Sequence, residues 1–114
     1  MLLSKSVFFK ASHKLQDAEG QPLHEHNYKL MVEVEEKIND IGMIIDTRTL
    51  TSTMEKVIIA QLKGAFLNDY MKQPTLEHIA VWIWNELKPY VKHMKRIRLF
   101  ENQTLFVEYD GKNK

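Results

Sequence analysis

Two stretches of this chain alternate between apolar and polar residues, and this pattern constrains the fold more than any other feature. In residues 6–14, one face is shared by Val7, Phe9, Ala11 and His13. In residues 24–35, one face is shared by His24, His26, Tyr28, Leu30, Val32 and Val34. A period of two is typical of strands with one buried face. Because Asp17, Gly20 and Pro22 favour a loop between them, we predict that the two strands pair as a hairpin.

The middle of the chain changes to helical spacing. Asp46 or Thr47 is a suitable N-cap for a helix whose apolar stripe comprises Leu50, Met54, Val57, Ile58 and Leu62, with Gly64 at its end. Thr75 is a suitable cap for a second helix, which Pro89 ends and whose stripe comprises Leu76, Ile79, Ala80, Ile83 and Leu87.

Residues 96–101 and 104–109 have the pattern of two further short strands. The order strand, strand, helix, helix, strand, strand predicts an α+β fold, in which two helices cover one face of a four-stranded antiparallel sheet. We expect a single domain over residues 1–114 and two open sheet edges, which favour association between subunits.

Composition excludes several classes of protein. The net charge of +1 does not favour a nucleic-acid or membrane-surface partner. The chain has no cysteine, which excludes disulfides, thiolate metal sites and a cysteine nucleophile. The N-terminus becomes polar too early for a signal peptide, and no apolar run has transmembrane length, so we expect a cytoplasmic protein.

Three of the five histidines fall on the predicted buried face of the hairpin. His24 and His26 are two residues apart on a strand, so their side chains point the same way. His13 lies near the same loop on the partner strand, which brings it beside them. Three converging imidazoles are typical of a catalytic zinc site with a fourth position open. The simpler alternative is a set of hydrogen-bonded core histidines; His78 and His93 are expected to face solvent.

Six short motifs occur in order along the chain: FKASHKL at residues 9–15, LHEHNY at 23–28, GMIID at 42–46, LND at 67–69, PTLE at 74–77 and FE at 100–101. In these motifs, in their order and in the three histidines, the chain resembles the 6-pyruvoyltetrahydropterin synthase and 6-carboxytetrahydropterin synthase family. The resemblance implies a tunnelling fold, in which ββααββ subunits join into a β-barrel as a homotrimer and, in many members, a homohexamer.

The resemblance also implies site residues. In the family, histidines at the positions of His13, His24 and His26 hold zinc. A glutamate matching Glu101 binds the guanidine-like edge of the pterin, where a carboxylate accepts two parallel N–H bonds. Thr75 lies beside the pterin in relatives. The simpler alternatives are a solvated carboxylate at the strand end for Glu101 and a helix cap for Thr75.

This sequence departs from the family at the acid–base residues. The family's catalytic cysteine falls at Gly20, and its Asp-His pair falls at Lys63 and Gly64. The central glycine of the H-G-H motif is Glu25 here. The zinc ligands are therefore expected to be kept while the usual base is absent.

Some relatives without the cysteine use a glutamate in the same loop, so Glu19 is the candidate catalytic base. Glu25 is the next candidate, although strand alternation points it away from the metal. Lys63 at the helix end is a candidate for holding charge near the pocket. A solvated surface charge is the simpler alternative for all three.

Three hypotheses follow. The first is a zinc-dependent, lyase-type pterin enzyme acting on 7,8-dihydroneopterin triphosphate or a related pterin, in a pathway such as queuosine, folate or biopterin synthesis. The second is a divergent member that binds a pterin-like or purine-like ligand without the family reaction. The third is a structural subunit whose histidines bind nothing.

Overall fold

The computed structural model of the chain describes residues 1–15 and 23–112. Four strands form one antiparallel sheet in the order β1-β2-β3-β4. The strands are β1 (Leu2–His13), β2 (His24–Glu35), β3 (Met94–Phe100) and β4 (Phe106–Tyr109). The predicted α+β fold and element order are confirmed. The strands β1 and β2 form the expected hairpin, and β1 begins four residues earlier than the alternation indicated.

The helical part lies between β2 and β3. It comprises α1 (Thr47–Met54), a π-helical segment (Glu55–Ile59), α2 (Ala60–Leu62), a 3₁₀ turn (Leu67–Asp69) and α3 (Leu76–Leu87). The first three are continuous and correspond to the first predicted helix. Within the described part of the chain, none of these helices is long and apolar enough to cross a bilayer.

Both predicted N-caps are confirmed. The Asp46 carboxylate accepts a hydrogen bond from the Arg48 amide at 2.9 Å, and this bond holds the pKa of Asp46 below its usual value. The Thr75 hydroxyl accepts from the His78 amide at 3.2 Å. Such caps satisfy amides that have no partner within the helix, each contributing about 1 kcal/mol.

The core lies between the helices and one face of the sheet. From the sheet it takes the alternate residues that the sequence pattern indicated, including Val7, Phe9, Tyr28, Leu30, Val32, Ile97 and Leu99. From the helices it takes Leu50, Met54, Ile58, Leu62, Ile79, Ile83 and Leu87. Each fully buried aliphatic side chain contributes about 1.5–3 kcal/mol, so this layer fixes which face of β1 and β2 points inward.

The expectation of two open sheet edges is wrong at one end of β1. The Gly64 amide donates to the Lys10 carbonyl at 2.7 Å, and the Ser12 amide donates to the Ala65 carbonyl at 3.0 Å. Ser12 and Phe66 form a parallel bridge. The chain leaving α2 therefore covers the outer edge of β1 near His13, because Gly64 adopts a φ of +73° that turns the backbone toward the strand.

Gly111 offers a test of this packing. Its φ is +84°, and a Cβ at this position would lie 2.6 Å from Nε1 of the buried Trp84 indole. Gly42 has a similar φ of +82° but no neighbour within 4 Å of such a Cβ, so it is a matched control.

We expect Gly111→Ala to lower the free energy of unfolding by about 3 kcal/mol, since backbone strain and overpacking add. Gly42→Ala, with strain alone, is expected to lower it by about 1 kcal/mol. Urea denaturation measures both values. Equal losses in the two variants would contradict the close packing of Gly111 on Trp84.

Candidate metal centre

The pairing of β1 with β2 brings the three predicted zinc ligands together. His13 lies directly opposite His24, and Ala11 lies opposite His26. The ring centroids of His13 and His26 are 5.2 Å apart, those of His13 and His24 5.9 Å, and those of His24 and His26 6.1 Å. Three imidazoles around one tetrahedral zinc have centroids roughly 5 Å apart, given Zn–N bonds of about 2.0–2.1 Å. The three rings therefore lie near the separation that a shared ion requires, and His13 and His26 are the closest pair.

His13 is the most constrained of the three. Its side chain is buried, and its Nδ1 lies 2.8 Å from the Pro74 carbonyl oxygen. A carbonyl only accepts hydrogen bonds, so Nδ1 carries the proton of the neutral ring and the lone pair lies on Nε2. Histidine ligands of metals are commonly oriented by such a bond from the other ring nitrogen. The loop before α3 therefore sets the tautomer that metal binding requires.

Glu101 lies closer to the histidines than the sequence indicated. Its Oε1 is 3.6 Å from Nε2 of His26. Among the described residues, one candidate metal-binding group has donor atoms within 4.8 Å of one another, and it consists of His13, His26 and Glu101. His24 is outside this tightest group, although its ring lies about 6 Å from both other imidazoles. Imidazole and carboxylate are both zinc ligands, so this donor set fits the metal.

A tight turn after β3 places Glu101. The Asn102 Oδ1 accepts hydrogen bonds from the Thr104 and Leu105 amides, each at 2.9 Å. The Glu101 amide donates to the Leu105 carbonyl at 3.0 Å. The role of Asn102 was not predicted, although an asparagine next to a strand end is a typical signal for such a turn.

Asn68 fixes the end of β1. Its Oδ1 accepts from the Lys14 amide at 2.9 Å, and its Nδ2 donates to the Lys14 carbonyl at 2.8 Å. These two bonds replace a strand partner for the residue that follows His13. The sequence identified Asn68 only as part of the LND motif, because a side chain that pairs with a distant backbone leaves no periodic signal.

Tyr28 lies beneath the site, two residues after His26 on the same face of β2. Its ring stacks on Phe9 at 5.1 Å and contacts the His26 ring edge-on at 5.7 Å. Its hydroxyl is the one buried side-chain polar atom in the described ranges without a hydrogen-bond partner. Burial, and secondarily the Glu101 carboxylate, raise the pKa of Tyr28, so the phenol stays protonated.

A cavity of about 570 Å³ opens beside His26 and Glu101. This size is in the range of small-molecule sites. It is lined by Phe8, Glu25, His26, Asn27, Lys29, Phe100, Glu101, Asn102 and Gln103. The Lys29 ammonium lies 4.8 Å from the centroid of the Phe100 ring. The cavity thus combines aromatic faces, a carboxylate and a cation.

The other predicted site residues are less close to the histidines. Glu25 is exposed and pairs with Lys10 at 3.8 Å on the opposite face of the sheet, as its alternation predicted. The Thr75 hydroxyl acts as a helix cap, next to the carbonyl that binds His13. Lys63 is exposed and lines a separate groove of about 330 Å³.

Glu19 and Gly20 lie outside the described residues. His78 and His93 are exposed, as predicted, and His93 pairs with Glu36 at 3.0 Å.

Comparison with known proteins gives a consistent match over the whole chain. The family model for 6-pyruvoyl tetrahydropterin synthase matches residues 2–112. The chain is 32% identical to the 6-carboxy-5,6,7,8-tetrahydropterin synthase of Haemophilus influenzae, with 94% of this chain and 96% of that protein covered. It is also 32% identical to the dihydroneopterin monophosphate aldolase of Pyrococcus furiosus, with 90% of each chain covered.

Among solved structures, the 6-pyruvoyl tetrahydropterin synthase of Caenorhabditis elegans matches with a TM-score of 0.86. The match covers 97% of this chain and 95% of that chain, at 19% sequence identity. At this identity the match establishes the fold, and it confirms the expected tunnelling-fold subunit.

Asn68 provides a test of how the site is held. We expect Asn68→Ala to lower the free energy of unfolding by about 1–3 kcal/mol and to weaken zinc binding, because the end of β1 loses both bonds to Lys14. Asn39→Ala is the matched control, since Asn39 Oδ1 accepts from the Ile41 and Met43 amides at 3.0 Å in a loop on no element of the site. We expect Asn39→Ala to lower the free energy of unfolding without changing zinc affinity.

Thermal unfolding and zinc titration with a competing chelator measure the two effects. Unchanged zinc affinity in Asn68→Ala, at a stability loss equal to that of the control, would contradict a role of Asn68 in the site.

The unpartnered hydroxyl of Tyr28 predicts a gain in stability on its removal. We expect Tyr28→Phe to raise the free energy of unfolding of the metal-free protein by about 1 kcal/mol, because a buried polar group without a partner is costly. Tyr70→Phe is the contrasting control, since the Tyr70 hydroxyl donates to the Gln61 carbonyl at 2.7 Å and its loss should destabilise. Urea denaturation measures whether each substitution raises or lowers the free energy of unfolding. Destabilisation by Tyr28→Phe would mean that the hydroxyl has a partner in solution.

Proposed function

Since this chain belongs to the 6-pyruvoyl tetrahydropterin synthase family, we propose that it is a zinc-dependent enzyme of pterin metabolism. Its substrate would be 7,8-dihydroneopterin triphosphate or a related pterin, and its reaction would be of the lyase type. The observation that carries this proposal is the convergence of three imidazoles beside a cavity with a carboxylate. A second candidate, binding of a pterin without the family reaction, is favoured by the lack of the usual base.

In this proposal His13, His24 and His26 hold the zinc ion. The bond from His13 Nδ1 to Pro74 supports the role, because it leaves Nε2 free to bind a metal. When bound, zinc acts as a Lewis acid toward the oxygens of the pterin side chain. The covered edge of β1 and the bonds from Asn68 keep His13 in place, so the chain supplies a preorganised ligand set.

Glu101 is proposed to bind the pterin itself. A carboxylate accepts two parallel N–H bonds from the guanidine-like edge of the ring, which fixes its orientation. The position of Glu101 in the cavity wall supports this role, as does the turn held by Asn102. The aromatic faces of Phe8 and Phe100 suit a planar ring, and Lys29 is a cation suited to a phosphate group. Thr75 is a further candidate for a pterin contact.

The catalytic base is where this chain differs most from its family. The chain has no cysteine, and Lys63 and Gly64 stand where the family has its Asp-His pair. We propose Glu19 as the catalytic base, on the ground that it precedes His24 in the same loop as the family's cysteine. Glu25 is a poorer candidate, because it pairs with Lys10 on the other face of the sheet.

The related proteins differ in the reaction their names state. One is a 6-carboxy-5,6,7,8-tetrahydropterin synthase and one is a dihydroneopterin monophosphate aldolase. Elimination of phosphate and cleavage of the pterin side chain are therefore both candidate reactions. Both need a metal that polarises side-chain oxygens and a base that removes a proton, so the proposed residues serve either reaction.

We also propose that the protein is a homo-oligomer, a trimer or a hexamer. Large apolar side chains on the outer face of the sheet support association: Leu2 is 42% exposed and Phe106 is 43% exposed. Apolar side chains this exposed are commonly covered by a partner when they form a patch.

The proposed activity is tested with zinc-loaded protein. Incubation with 7,8-dihydroneopterin triphosphate, followed by chromatography of pterin products, should show turnover in the wild type and a loss of about 100-fold or more in His24→Ala. Losing a ligand should cost at least as much as losing a residue that only orients one, which costs about 10–100-fold. His93→Ala is the matched control, since His93 is exposed and pairs with Glu36 beyond the far end of β2, and it should retain wild-type turnover.

Each outcome points to one hypothesis. Turnover in wild type that His24→Ala retains would contradict the zinc site. Absence of turnover together with calorimetric binding of the pterin would favour the binding protein. Absence of both, with about one zinc per chain, would contradict the pterin proposal and leave the metal site standing.

A further inference from the structure

The position of Glu101 beside the histidines has a consequence for the metal. We propose that, without a bound pterin, the Glu101 carboxylate is itself a ligand of the zinc ion, and that a pterin must draw it away from the metal in order to be anchored by it. The first part of this proposal, that Glu101 is a zinc ligand, involves no pterin. The second part, that a pterin displaces Glu101, rests on the proposed pterin function.

The distance between the donor atoms of His26 and Glu101 fits two ligands of one metal better than it fits a direct hydrogen bond. His26 Nε2 and Glu101 Oε1 are 3.6 Å apart. This separation exceeds the 2.7–3.2 Å typical of an N–H···O bond (about 2.9 Å at its mode). Two ligands of one tetrahedral zinc ion, each bonded at about 2.0–2.1 Å, lie about 3.3 Å apart. The two atoms are therefore near the spacing that a common metal imposes.

The other donor atoms of the site are also placed to bind the same zinc ion. The donor atoms of His13, His26 and Glu101 lie within 4.8 Å of one another. The His13 tautomer is set by the Pro74 carbonyl, so its Nε2 lone pair is available for metal binding. Two histidines and one carboxylate form a common zinc ligand set, and His24 supplies a further imidazole close by.

The surroundings of Glu101 allow its carboxylate two positions, one at the metal and one in the cavity. Its backbone is fixed by the turn at Asn102, while its side chain is 19% exposed and borders the cavity beside His26. We infer that rotation of the side chain moves the carboxylate between the histidines and the cavity, since Glu101 borders both. The same carboxylate cannot bond the metal and accept two N–H bonds from a pterin edge, because both use its oxygen lone pairs.

Competition for one carboxylate couples the two ligands. A pterin that removes Glu101 from the metal and supplies no ligand in its place must weaken zinc binding, and zinc must weaken the binding of that pterin by the same factor. The zinc position that Glu101 leaves becomes available to the substrate only after the ring has docked. The resting protein is thereby protected from other oxygen ligands at the metal.

The first experiment uses zinc alone, titrated against a competing chelator with no pterin present. Glu101→Gln should weaken zinc binding about tenfold or more. Glu101→Asp keeps the negative charge, but its side chain is one methylene shorter and no longer reaches the metal. It should therefore weaken zinc binding by a similar factor. Glu35→Gln is the charge-matched control at the far end of β2, where Glu35 pairs with Lys95 at 3.4 Å, and it should stay within twofold of wild type.

Two results would overturn the inference. One is wild-type zinc affinity in Glu101→Gln. The other is wild-type affinity in Glu101→Asp with a loss in Glu101→Gln, since the carboxylate would then act only through its charge. Thermal unfolding of the metal-free variants verifies that each is folded, and both substitutions keep a polar side chain at a partly exposed position.

The second experiment separates this inference from the proposed function. Its probe is a pterin without a side chain at C6, which offers the ring edge to Glu101 but no side-chain oxygen to the metal. Bound to Co²⁺-loaded wild type, it should change the visible absorption of the metal, and it should weaken zinc binding in the chelator titration. Binding by calorimetry with an unchanged spectrum would overturn the exchange of Glu101. No binding at all would count against the pterin function, and the zinc titration would still decide whether Glu101 is a ligand.

Discussion

The register between β1 and β2 is the constraint on which the site depends. With His13 opposite His24 and Ala11 opposite His26, three imidazoles emerge from the same face of the hairpin. A shift by one residue would turn the side chains of one strand to the opposite face. The apolar neighbours on these strands, from Val7 and Phe9 to Leu30 and Val32, prevent such a shift because they are buried under the helices. Core packing thus determines where the proposed zinc ligands lie.

The helical region adds contacts that a hairpin alone lacks. The Pro74 carbonyl fixes the tautomer of His13, Asn68 pairs with the backbone of Lys14, and residues 64–66 cover the edge of β1. Each contact joins residues more than 50 positions apart in the chain. The proposed metal site is therefore assembled by tertiary structure. Substitutions in the loops around α2 and α3 should weaken metal binding as well as destabilise the fold.

Much of this architecture was predictable from residue patterns. Alternation gave the two long strands and the inward face of the histidines, and Asp46 and Thr75 were recognisable as caps because their side chains act within the next three residues. The covered edge of β1 was not predictable, since it depends on where the backbone at Gly64 turns in space. The same holds for Asn68, whose bonds to a distant backbone leave no periodic signal. The proximity of Glu101 to His26 depends on a turn geometry that spacing does not encode.

The proposed site requires one zinc ion bound between the two strands of the hairpin. A crystal structure of zinc-loaded protein, with anomalous diffraction at the zinc edge, shows where the ion lies. We expect a single strong peak within bonding distance, about 2.0–2.1 Å, of one nitrogen each from His13, His24 and His26. A zinc peak that none of these three histidines ligates, or one bound by His13 and His26 while His24 points elsewhere, would contradict the predicted three-histidine site.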